Sequence, residues 1–165
     1  MFTRILLAID ATESGEVSVD FVIPVARKCD AKVHVVYVNE VMVGGRGMTV
    51  STHHEAHNIV DSAVAALWIA GVDADGEVRR GNCFTVDDRI VDSARVFGAD
   101  VIVLGSNRRR WLRRFSGKGM RERVTAMTDL PTLTAPAPLR MTHPLQRDMD
   151  QLTALPLEGV TISAK

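Results

Sequence analysis

Three short apolar runs constrain the fold more than any other feature of this chain. They are Arg4–Ile9 (RILLAI), Ala31–Val38 (AKVHVVYV) and Asp100–Leu104 (DVIVL). A strand with one wet face alternates apolar and polar residues, whereas an unbroken apolar run reads as a strand covered on both faces. Asp10 ends the first run and Gly105 the last. In an open parallel sheet, small ligands collect where the C-terminal end of a strand meets the next helix. The stretch from Ala99 to Val124 (ADVIVLGSNRRRWLRRFSGKGMRERV) therefore draws attention first, because its strand opens into a loop dense in arginine.

Between these runs the pattern changes to helical spacing. Ala11-Thr12-Glu13-Ser14-Gly15 is turn and cap chemistry, with Thr12 or Ser14 able to accept the free N–H groups of a helix over about Glu16–Cys29. Val17, Phe21, Val25 and Cys29 define its expected buried stripe, and Pro24 predicts a kink or irregular turn near Asp20–Ile23. Asn39–Thr52 reads as a connection, since Gly44-Gly45-Arg46-Gly47 cannot hold a regular element cheaply. Ser51 or Thr52 caps a helix to about Ala70, with Val60, Val64, Leu67 and Trp68 expected to face inward. Asp73–Arg80 is a more polar strand. Phe84-Thr85 opens a helix to Phe97 with Val86, Ile90, Ala94 and Phe97 on one face. A helix over roughly Met120–Thr128 and a short strand, Thr132–Ala135, between Pro131 and Pro136 complete the series.

The alternation β-α-β-α-β-α-β-α-β sets the class as α/β, with a mostly parallel sheet and helices on both faces. Residues 1–136 form the expected domain. Ala137–Lys165 reads as a Pro-containing C-terminal tail, with a helical turn near Leu145–Leu152 and a strand-like end at Gly159–Ser163.

Composition excludes several classes. The 20 basic and 20 acidic residues balance, so only local patches could meet a polyanion, and nucleic acid is a disfavoured partner. The aromatics are scattered, without the spacing of a base-stacking surface. Cys29 and Cys83 stand alone, with no CxxC, which suits reduced thiols and a cytoplasmic location. A strand pattern follows Met1 at once, so no signal peptide is expected, and no apolar run approaches the roughly 18 residues of a membrane span.

Asp10 admits two readings: an acceptor for a ribose hydroxyl or adenine amine, or a cap for the turn after it. The Gly105–Gly119 loop admits three. Ser106, Lys118 and the N–H groups around Gly117 and Gly119 could cradle an anion. Alternatively Arg108, Arg109, Arg110, Arg113, Arg114 and Lys118, with Trp111 and Phe115, could dock an acidic partner or a nucleic acid. The third reading is a solvated basic loop. Ser116-Gly117-Lys118-Gly119 fails GxxxxGK[ST], because Leu112 and Gly119 stand where Gly and Ser/Thr are required. His53 and His57 lie one helical turn apart, a spacing that suits metal ligation, but HExxH is absent because Asn58 replaces the second histidine. Exposed histidines on a helix are the commoner case, and no metal is expected. Nothing nominates a nucleophile or general base.

RILLAIDATESG, KVHVVYVNE, GADVIVLGSNRR and RERVTAMTDLPTLTAP, in this order and spacing, resemble the universal stress proteins of the UspA superfamily. The resemblance covers roughly Phe2–Pro136. It implies a doubly wound, five-stranded, Rossmann-like sheet and a homodimer joined through the last strand, Thr132 to Ala135. Some members bind ATP through G-x2-G-x9-G-[ST] after the fourth strand. Aligned by Glu122-Arg123-Val124, that motif keeps Gly105 but meets Arg108, Lys118 and Gly119 at its other three positions. A Cβ at such positions blocks close approach of backbone to phosphate. Asp10 and Val38 stand where the family contacts the nucleoside and adenine, and Ser106 follows the surviving glycine.

The resemblance thus implies a non-enzymatic regulatory or protein-interaction module with a degenerate nucleotide site, its basic loop Arg108–Lys118 offered to an acidic protein. The alternatives are a sensor of ATP, another adenine nucleotide or an anion, in which the basic loop replaces the glycine cradle, and a nucleotide-hydrolysing enzyme. No cofactor is firmly expected beyond that adenine nucleotide.

Overall fold

The first strand shows why its apolar run is unbroken. In β1 (Arg4–Ile9), Ile5, Leu7 and Ile9 face one helix layer while Leu6 and Ala8 face the other. Successive side chains of a strand point to opposite faces, so two wet-free faces require every residue to be apolar. The structure, a computed structural model, describes residues 1–41, 48–105 and 119–137. The expected tail lies outside these residues from position 138 onward, as does the Gly44–Gly47 segment.

The elements follow as α1 (Glu13–Cys29), β2 (Lys32–Glu40), α2 (His53–Ile69), β3 (Ala74–Gly81), α3 (Val86–Phe97), β4 (Val101–Leu104), α4 (Met120–Met127) and β5 (Thr132–Thr134). All four strand pairings are parallel, in the order β3-β2-β1-β4-β5. α1 and α2 cover one face through Val19, Val22, Ala26, Val60, Val64 and Leu67. α3 and α4 cover the other through Val86, Ile90, Val91, Ala94 and Val124. The sheet is therefore doubly wound, as expected.

Packing corrects the sequence expectations at three helical positions. The buried stripe of α1 is Ser14, Gly15, Ser18, Val19, Val22 and Ala26, while Val17, Phe21, Val25 and Cys29 are only half-buried. A strict four-residue step drifts off a 3.6-residue helix face, and the close approach of helix to sheet selects the small residues. Pro24 interrupts nothing: α1 runs from Glu13 to Cys29, with Pro24 and Asp20 both on the solvent side. The carbonyl one turn back belongs to exposed Asp20, so solvent can replace the donor that proline lacks. Trp68 is 62% exposed and does not face inward. Ala56, Val60, Ala63, Val64 and Leu67 already fill the stripe of α2. The indole N–H needs an acceptor and finds the Ala74 carbonyl, at the start of edge strand β3, at 2.7 Å.

The core outweighs the surface pairs energetically. Ile5, Leu6, Leu7, Leu67 and Ile102 are completely buried, each burial being worth about 1.5–3 kcal/mol. The Lys32–Asp73 pair at 3.8 Å, with Asp73 73% exposed, belongs to the class worth roughly 0–1 kcal/mol.

Candidate functional site at the switch point

The chain leaves β1 toward β2 and β3, then crosses back to β4 and β5 on the other side, so the winding reverses between β1 and β4. This is the switch point at which doubly wound sheets bind ligands, beyond the C-terminal strand ends. Registers place the three candidates on adjacent strands within one residue of a common level. Ile9 pairs with Tyr37 and Ala8 with Leu104, so Val38 stands level with Asp10, and Gly105 level with Ile9 just before it. At about 4.8 Å between strands, the three positions span roughly 10 Å.

Asp10 does cap the turn after it. Its Oδ1 accepts from the Thr12 N–H at 2.9 Å and from the Thr12 hydroxyl. Thr12 is in turn the N-cap of α1, its Oγ1 accepting from the Ser14 N–H at 3.2 Å. One carboxylate oxygen, Oδ2, keeps its acceptor sites open among the described residues, so capping does not consume the group. Gly15 lets α1 start directly against this turn: a methyl group there would stand 2.3 Å from the Asp10 carbonyl oxygen. Gly105 sits under the same helix end, where a methyl group would come within 3.1 Å of Ser18 Oγ and 3.2 Å of Ser14 Oγ. Ser18 holds its place by donating to the Ser14 carbonyl at 2.5 Å. The first glycine of the expected phosphate loop thus has a packing reason of its own, since a Cβ there would press on two serine hydroxyls.

Val38 is buried in the face covered by α3. Beside it, Gly81 allows the close contact of β3 with Val38 and the stem of Arg89. Arg89 was not singled out by sequence reasoning. Its Nε is buried without a hydrogen-bond partner among the described residues. Sequence gives no signal for it beyond a basic residue in the first turn of α3.

Two further arrangements at this edge were also invisible in sequence. Asn39 bonds both backbone groups of Ser51, donating to its carbonyl at 2.8 Å and accepting from its N–H at 3.1 Å. The Tyr37 hydroxyl meets Ser51 Oγ at 2.9 Å. Together they tie the end of β2 to the start of α2. The second is a half-buried ion pair joining the first turns of α3 and α4, in which Arg123 donates to both oxygens of the buried Asp87. Hydrogen bonding to Asp87 raises the Arg123 pKa further above its ordinary value, despite burial acting the other way.

Ser106, Arg108 and Lys118, with the rest of the basic loop, lie outside the described residues. Gly119 is described as the N-cap of α4, and its N–H donates to the Glu122 carboxylate. The donor offered to an anion by sequence reasoning is therefore engaged by a carboxylate at the same helix start. His53 and His57 are brought together on α2, with ring centroids 4.5 Å apart. No group of three or more His, Cys, Asp or Glu among the described residues could hold a metal. None of these helices is long and apolar enough to cross a membrane.

Comparison with known proteins agrees with this architecture. A universal stress protein family protein from Burkholderia pseudomallei superposes with a TM-score of 0.63 at 22% identity, covering 82% of this chain and 96% of its own. A universal stress protein from Archaeoglobus fulgidus, solved in complex with dAMP, gives 0.61 at 22% identity, covering 81% and 98%. An Arabidopsis thaliana family member with AMP bound gives 0.60 at 15%, covering 85% and 95%. No functionally curated protein matches the chain. The model of the universal stress protein family matches residues 1–134, and the chain belongs to that family.

Proposed function

We propose that this chain is a non-enzymatic regulatory module that takes an adenine nucleotide by its nucleoside half. The adjacent placement of Asp10, Val38 and Gly105 at the switch point carries the reading. The Oδ2 of Asp10, without a partner among the described residues, can accept from a ribose hydroxyl, and β2 at Val38, beyond the last β1 pairing at Tyr37, is the backbone nearest to a base. The nucleotides held by similar structures, dAMP and AMP, support the choice of ligand class. Arg108 and Lys118 occupy glycine positions in the family motif, so the triphosphate gains no close backbone cradle. No nucleophile or general base was found in the sequence, which favours binding over turnover.

Calorimetry with adenosine, AMP and ATP tests this. AMP and ATP should bind within about tenfold of one another, a difference of about 1.4 kcal/mol. Asp10→Ala should weaken both while the protein remains folded. Absence of heat and of thermal stabilisation at millimolar nucleotide removes the nucleotide, and sustained ATP hydrolysis removes the non-enzymatic reading.

The same reading includes a homodimer through β5. Ile102 N–H donates to the Pro131 carbonyl and Ala135 N–H to the Leu104 carbonyl. Residues 131, 133 and 135 thus serve β4, leaving the backbone groups of Thr132 and Thr134 directed outward from the sheet edge. Pro136 has no N–H, which confines the edge to two outward donors. Native mass spectrometry reads the subunit number directly. Docking of an acidic protein partner at Arg108–Lys118 remains a second use of the module, supported by the charge of that stretch alone. Loss of such an association on reversing those charges would be its signature.

A further inference from the structure

The first two turns of α2 carry a pair of imidazoles, four residues apart, that the nucleotide reading does not use. His53 and His57 are exposed, one helical turn apart, with ring centroids 4.5 Å apart and planes tilted by 42°. We propose that they form a two-histidine chelate for a divalent first-row transition-metal ion.

Three observations carry the assignment. The first is proximity: with the rings one helical turn apart and their centroids 4.5 Å from each other, side-chain rotation alone can bring a nitrogen of each to one ion. The second is rigidity. Thr52 and Glu55 form a reciprocal capping box, with the Thr52 N–H donating to Glu55 at 2.7 Å and the Glu55 N–H to Thr52 Oγ1 at 3.2 Å. This box fixes the turn that presents the histidines. The third is the absence of local competition. Glu55 is committed to the cap, and His54 is turned aside, its Nδ1 accepting from Asn58 Nδ2 at 3.0 Å. Neither pairs with the two facing rings.

Ligand chemistry sets the metal. Imidazole nitrogen suits Cu2+, Ni2+ and Zn2+, whereas Mg2+ and Ca2+ require oxygen ligands. Two protein ligands leave the remaining coordination positions to water or to a donor from another molecule. The helix N-terminus itself disfavours a cation, so the chelate rests on the two imidazoles alone. The metal competes with protons for the same nitrogens, so occupancy falls as the solution is acidified.

The test uses the untagged full chain at pH 7.5, titrated with Cu2+, Ni2+, Zn2+ and Mg2+ while the histidine ring resonances are followed by NMR. One ion per chain is expected, in the order Cu2+ over Ni2+ with Mg2+ inert, and the His53 and His57 rings should shift first. His53→Gln and His57→Gln should each weaken binding at least tenfold, and His54→Gln should leave it unchanged. Binding that survives the double variant His53→Gln/His57→Gln, or that His54→Gln weakens equally, overturns the proposal. So does an absence of Cu2+ and Ni2+ binding by the wild-type chain.

Discussion

Substituting Gly15 by alanine sets two opposed effects against each other. Gly15 lies inside α1, and its backbone angle is not in the left-handed region. In an ordinary helix the change would stabilise, since alanine is preferred over glycine by about 1 kcal/mol. Here the new methyl carbon would stand 2.3 Å from the Asp10 carbonyl oxygen, 3.4 Å from its carbon and 3.5 Å from its nitrogen. The nearest atom belongs to the backbone at the end of a central strand, so no rotamer change can relieve the overlap. Overpacking of this kind costs typically 1–3 kcal/mol. The overlap is severe enough to place the cost at the top of that range. The net expectation is a loss of about 1–2 kcal/mol, or a melting temperature lower by roughly 2–8 °C for a domain of this size. Because the clash falls on Asp10, nucleotide affinity should fall with it. Urea unfolding and a thermal melt of the two proteins decide the matter. A Gly15→Ala variant as stable as the wild type, or more so, would refute the close approach of α1 to the Asp10 turn.

Other perturbations follow from the same geometry. Leu67→Ala should destabilise by about 2–5 kcal/mol in urea unfolding, since the side chain is wholly buried under the sheet. Asp87→Asn should cost about 1.5–3 kcal/mol by removing a charged partner from Arg123, and double substitution with Arg123→Met should recover part of it in a thermodynamic cycle. Asp100 titrates below the ordinary aspartate range: burial pushes it up, and this is outweighed by hydrogen bonds from the Thr3 N–H, the Thr3 hydroxyl and the Arg4 N–H. With the folded value below the unfolded one, the stabilisation is present above about pH 4 and disappears as pH falls through the folded value. Asp100→Asn should therefore be less stable than wild type at pH 7, with the two stability curves converging in acid.

Much of the fold was legible because it rests on local chemistry. The run from Arg4 to Ile9 marks β1 to the residue, because a strand covered on both faces admits no polar interruption. Thr12 and Thr52 are caps for reasons contained within three residues of each. Asp10 and Gly105 could be nominated by their place immediately after apolar runs. Asn39 and Ser51, by contrast, are 12 positions apart and nothing local joins them. Arg89 became a residue of interest only when packing buried its Nε.

Sequence by itself determined the element order, the parallel sheet and the loss of two glycines and the Ser/Thr of the family motif after β4, since periodicity, turn chemistry and residue identity are local properties. Tertiary structure decided which small residues let α1 approach the sheet, that Trp68 turns outward to the Ala74 carbonyl, and that Gly119 gives its N–H to Glu122. It also decided that Asp10 caps a turn with one oxygen and leaves the other without a partner among the described residues. These depend on distances between segments remote in sequence, which side-chain volume and hydrogen-bond geometry fix only once the layers are packed.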